Sequence, residues 1–162
     1  MQELRLPDPS NTVSLQLLLT RALDSLTAYL HAARISRSSK LRSFCTGISE
    51  VRRRQVDEIA AMMEERGEDP DFGSSREADF QLIWMSLVER RSPSEGEDLP
   101  RECERGDRRF ERVLMRLWEQ APAQSDERIT LGDYLHEVRE AVEMLHQLQE
   151  APATPRSSRT AS

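Results

Sequence analysis

Arg101-Glu102-Cys103-Glu104-Arg105-Gly106-Asp107 places three carboxylates at the start of a stretch with helical periodicity. At about 100° per residue, Cys103, Gly106, Phe110, Val113, Leu114 and Leu117 share one stripe, which predicts a helix from about Leu99 to Gln120. Asp107 falls at the edge of that stripe and Glu104 farther out. A carboxylate so placed has two uses in a helical chain. It can join a metal centre, in which two helices each give a Glu and two others each give Glu-x-x-His. Alternatively, it can neutralise a cation on a facing helix. The choice between the two sets what the chain can do.

Working outward, Asn11 or Thr12 can cap a helix to about Arg34 with Leu15, Leu19, Ala22, Leu26, Tyr29, Leu30 and Ala33 inward and Asp24 facing away. The polar break Ser36-Arg37-Ser38-Ser39 precedes a second helix to about Arg66, closed by Gly67 and Pro70. Its stripe is Leu41, Phe44, Cys45, Ile48, Val51, Ile59, Met62 and Met63, and Arg52 and Gln55 land on the same face. After the turn Phe72-Gly73-Ser74-Ser75, residues 75–90 predict a short helix carrying Phe80, Ile83, Trp84, Leu87 and Val88. A last helix from about Glu127 to Glu150 has the seam Leu131, Leu135, Val138, Val142, Leu145 and Gln149. Short loops make sequential long helices antiparallel neighbours. The expected class is therefore all-α, an antiparallel four-helix bundle with a short crossover helix between the second and third long helices.

A chain of 162 residues suits one domain. The expected organisation is a flexible N-terminus over 1–10, the bundle over 11–150, and a disordered tail over 151–162, where Pro, Ser, Thr and Ala offer no apolar stripe. Hydrophobic content of 37% with 32% charged residues suits helices that each bury one stripe. The formal charge of -6 argues against a nucleic-acid partner, and the locally basic patch of Arg37, Lys40, Arg42 and Arg52 to Arg54 reads as a solvated helix face. Cys45 and Cys103 are too few and too isolated for a disulfide framework or zinc site, so reduced buried thiols are expected. Met1 to Ser10 holds no apolar run, which predicts neither a signal peptide nor a membrane span and places the chain in the cytoplasm.

The chain from about Asn11 to Gln149 resembles a bacterial family of unknown function whose domain is ferritin-like and related to rubrerythrins. The residues that carry the resemblance are Asp24-x4-Tyr29, Arg52, Gly67, Gly73-Ser74-Ser75, Trp84-Met85-Ser86-Leu87 and Glu102-Cys103-Glu104-Arg105-Gly106-Asp107. It departs from the family's pattern at Ala28 before the Tyr, at Gln55 and Gln81, and at Asp107 where Glu is usual. The resemblance implies the ferritin-like fold, with an activity that is not established.

Two chemistries follow for the acidic stretch. A rubrerythrin-like di-metal oxidoreductase or metal-storage protein, holding iron or manganese, would draw on Glu102, Glu104, Asp107 and Glu137. Against it, the sole Glu-x-x-His, Glu143 to His146, points away from the core, and Leu26 and Ile48 stand at the inward places of the first two helices. The second chemistry pairs Arg52 with Asp107 at mid-bundle, where charge-assisted hydrogen bonds fill the space of a metal. If both groups instead reach solvent at the bundle edge, nothing replaces the metal. The reading adopted is a metal-free bundle with no cofactor, whose role is structural or lies in a protein partner or self-association.

Overall fold

The computed structural model describes residues 13–73 and 98–150. Four helices and no strands are found among them: α1 Leu15–Ile35, α2 Ser39–Glu65, α3 Asp98–Gln120 and α4 Asp126–Glu150. Side-chain caps open the first two. Ser14 accepts from the Leu17 amide at 3.1 Å and Ser38 from the Leu41 amide at 3.2 Å. The first helix thus begins after Ser14, two or three residues later than Asn11 or Thr12 would set it.

α2 ends on a Schellman arrangement, with Gly67 N–H on Glu64 O and Glu68 N–H on Met63 O, both at 2.9 Å. Gly67 takes φ +73°, which L side chains adopt at a cost, whereas Gly47 sits inside α2 with nothing within 4 Å of an added Cβ. The two glycines therefore respond oppositely to alanine. Gly67→Ala should destabilise by about 1 kcal/mol, and Gly47→Ala should stabilise by about 0.5–1 kcal/mol through helix propensity. Urea melts of the two variants check the pair of signs. Past Gly67, the Gln16 amide clasps the Asp71 backbone through two bonds of 2.9 Å and ties this segment to the start of α1.

α1 packs on both α2 and α3, and α4 packs on α3 and more lightly on α2. α2 and α3 face each other across a diagonal, with no Cα of one within 8 Å of a Cα of the other. Because α1 meets two neighbours, it buries a wide arc: Leu15, Leu18, Leu19, Ala22, Asp24, Ser25, Ala28, Tyr29 and Ala32. A single-stripe reading puts Leu30 inside and Asp24 outside. The structure reverses both: Leu30 is exposed, while Asp24 is buried 3.4 Å from the Arg21 guanidinium.

The apolar core comes in two parts. One holds Leu18, Leu19, Ile59, Phe110, Leu114, Leu131 and Val138, the other Tyr29, Ala32, Leu41, Cys45, Leu99, Cys103 and Leu145. Gln149, expected on the α4 seam, is half-buried, and Tyr134 and Ala141 are buried in addition to the expected residues. The crossover helix expected over 75–90, and both terminal segments, lie outside the described residues.

Candidate functional site

Between the two core clusters sits a polar layer: Ser25 of α1, Arg52 and Gln55 of α2, and Asp107 of α3, all 0% exposed. Among the described residues Arg52 is the largest fully buried side chain. Its Nη2 donates to Asp107 Oδ1 and Oδ2, both at 3.1 Å, and its Nε donates to Ser25 Oγ at 2.9 Å and more weakly to Asp107 Oδ1 at 3.3 Å. Nη1 donates to Gln55 Oε1 at 3.2 Å, which fixes the orientation of that amide. The Asp107 carboxylate also accepts from Ser25 Oγ at 2.7 Å and from the Tyr29 hydroxyl at 2.5 Å. The Tyr29 and Phe110 rings flank the guanidinium, with centroids 5.6 and 5.7 Å from Cζ.

These contacts link three helices through one carboxylate. Buried charges are tolerated only when paired and hydrogen-bonded, and Asp107 has both oxygens engaged by at least two donors each. Burial pushes the Tyr29 hydroxyl well above the usual tyrosine range, and the negative charge of Asp107 adds to it. Tyr29 is therefore held as a neutral donor to Asp107.

The structure brings Arg52 and Asp107 together in the core, and Asp107 lies inside rather than at a core edge. Leu26 and Ile48, expected at the inward mid-bundle places, are only half-buried, and Ser25 and Arg52 stand inward there instead. The shift is one residue on α1 and four residues, about one turn, on α2. The signal for Ser25 and Tyr29 was weak in the sequence. A serine on a helix reads as a surface residue until the carboxylate it serves is known.

The other acidic candidates do not converge on Asp107. Glu102 is buried with Arg105 Nη1 at 3.5 Å, Glu104 sits 2.7 Å from His146 Nε2 and 3.4 Å from Arg108, and Glu137 pairs with Arg54. Glu143 and His136 are exposed, as is Asp133. Among the described residues no group of three or more His, Cys, Asp or Glu is arranged to hold a metal ion. A di-metal centre needs carboxylates with free lone pairs facing each other, whereas Glu102, Glu104 and Glu137 lie apart and each already faces a cation. Among the described residues, therefore, the donor set does not fit a di-iron or di-manganese centre.

Two further groupings escaped the sequence. Cys45 and Cys103, isolated in the sequence, are both buried free thiols, and the neighbouring Cys45 thiol together with burial pushes Cys103 well above the usual thiol range. A disulfide needs Cα atoms within about 7 Å. The pair spans the α2–α3 diagonal, beyond 8 Å, so the thiols stay reduced without backbone movement. On the α2–α4 side, the Tyr134 hydroxyl donates to Glu58, and Arg54 pairs with Glu137. Burial, then the hydrogen bond to Glu58, raises Tyr134 far above the tyrosine range.

No described helix is long and apolar enough to cross a membrane. Residues 11–114, well over half of the chain, match the model of a protein family described as a domain of unknown function (DUF2383). No curated protein and no solved structure matches the chain.

Proposed function

The chain belongs to the DUF2383 family, and on that premise we propose that it is a metal-free, ferritin-like bundle related to rubrerythrins, with a structural or protein-interaction role. The observation that carries this reading is the saturated Arg52–Asp107 pair at mid-bundle, where a rubrerythrin-like centre would need open carboxylates.

Helix directions inferred from side-chain pairings support ferritin-like connectivity. Ser25 bonds Asp107, and one turn on, the Ala28 carbonyl accepts from Cys103 at 3.9 Å, so α1 and α3 run oppositely. Arg54 with Glu137 and Glu58 with Tyr134 give the same relation for α2 and α4, as do Glu104 with His146 and Glu111 with Arg139 for α3 and α4. Cys45 with Cys103 and Arg52 with Asp107 make α2 and α3 parallel. The parallel run of the second and third helices is the arrangement that ferritin-like folds have.

An apolar groove of about 950 Å³ between α2 and α4, lined by Phe44, Ile48, Met144 and Leu148 with Lys40 at its rim, supports the interaction part of the reading. A metal-free bundle predicts that chelator leaves helix content and melting temperature unchanged, since no ion is needed to compensate the buried charges. Elemental analysis of the purified full chain alongside the melt checks this. Stoichiometric iron or manganese, with a melting temperature that falls on chelation and recovers on adding the metal back, overturns the proposal.

A further inference from the structure

α3 carries arginine along most of its length, at positions 101, 105, 108, 109, 112 and 116. Some of these are matched: Arg105 lies 3.5 Å from Glu102, and Arg108 lies 3.4 Å from Glu104 and 3.2 Å from Glu111. Among the described residues Arg109, Arg112 and Arg116 have no carboxylate partner, and Arg112 Nε reaches only the Arg108 carbonyl at 3.3 Å. These three and Arg21 of α1 converge on a cavity of about 350 Å³ between the start of α1 and the middle of α3. Its remaining walls are Val13, Leu17 and Val113.

Arg109 Nη1 is buried there with no acceptor. A guanidinium N–H withdrawn from water and left unbonded is costly, and three neighbouring cations without counter-charge repel one another. In a chain whose formal charge is -6, such a cluster is not a by-product of an excess of cations. An anion entering the cavity supplies both the missing acceptor and the missing charge. A dianion offsets more of the three unmatched arginines than a single carboxylate does, and the planar fork of Arg suits phosphate oxygens in bidentate contact. The apolar wall has its own demand: Leu17 is left 37% exposed beside the cations, a surface suited to an apolar or aromatic body.

We propose that the cavity between α1 and α3 binds a phosphate monoester carried on an apolar or aromatic body, its phosphate held by Arg109, Arg112 and Arg116 and its body set on Leu17, Val13 and Val113. The experiment is calorimetric titration of the full chain with phenyl phosphate, inorganic phosphate, benzoate and phenol. Saturable binding of phenyl phosphate, tighter than inorganic phosphate and benzoate and absent for phenol, is expected. The Arg112→Gln/Arg116→Gln double variant removes two exposed cations and keeps the buried packing, so its circular dichroism should match the parent. It should bind phenyl phosphate about tenfold or more weakly, the size expected for charge-assisted hydrogen bonds. Arg108→Gln, outside the cavity, should leave binding unchanged. Absence of saturable phenyl phosphate binding, benzoate binding as tightly, or equal affinity in a well-folded double variant each overturns the proposal.

Discussion

Above pH 10 the fold should lose stability through three buried acids, Tyr29, Tyr134 and Cys103, each at a limiting slope of about 1.4 kcal/mol per pH unit between its unfolded and folded pKa. Each is held neutral in the folded chain with its pKa raised. Tyr29 is raised by burial and then by Asp107, Tyr134 by burial and then by its bond to Glu58, and Cys103 by the neighbouring Cys45 thiol and then by burial. A raised folded pKa contributes stability that is complete below the unfolded value, about 10 for tyrosine and about 8.5 for cysteine. That contribution is lost as pH rises from there through the folded value. The three losses add in the same pH range, so the helices should come apart above the ordinary tyrosine range. The chain has two tyrosines, and both are involved. Phenolate absorbance should therefore stay flat with rising pH and then climb together with the loss of far-ultraviolet circular dichroism. Phenolate forming in the ordinary tyrosine range while the helices persist would contradict the burial and bonding described for both rings.

Asp107→Leu should destabilise the protein by about 3–5 kcal/mol, the cost of leaving a buried charge without its partner. More is lost than one ion pair. Arg52 loses the acceptor for Nη2, and the Ser25 and Tyr29 hydroxyls, both in residues 0% exposed, lose theirs with no water to replace it. The surface provides the comparison. Arg54 and Glu58 form an ion pair with 48% and 44% of their side chains exposed. Breaking a pair of that kind costs roughly 0–1 kcal/mol. Chemical denaturation of Asp107→Leu beside Arg54→Gln, which leaves the Glu58 bond to Tyr134 in place, should show this gap. A loss below about 1 kcal/mol at Asp107 would place its carboxylate in solvent.

Much of the fold is legible in the sequence because period and caps are local signals. The four long helices, the Gly67 stop and the inward placement of Arg52 and Gln55 all follow from helical phase within one segment. What is not local was read less well. Asp24 and Leu30 came out on the wrong sides because the phase of one helix does not reveal how many neighbours it meets, and α1 meets two. Tyr134 on α4 was missed for a related reason: its hydroxyl is served by Glu58 on another helix, and nothing within α4 announces that bond. The polar layer was half legible. A cation on an apolar stripe demands a counter-charge, which singled out Asp107, but Ser25 and Tyr29 become members only once α1 is set against both other helices. Cys45 and Cys103, 58 positions apart in the chain, are brought together in the same way.

The central claim is that an Arg52–Asp107 pair occupies the middle of this bundle in place of a metal centre, and the double-mutant cycle of Arg52→Met and Asp107→Leu tests it most directly. Each single change strands a buried group, whereas the double change exchanges the pair for apolar volume, a replacement that is often neutral or stabilising. The expected result is a double variant at least as stable as either single one, a coupling of about 3 kcal/mol or more, with helix content retained in the absence of metal. Additive losses, each below about 1 kcal/mol, would contradict the account by showing two charges in water with nothing held between them.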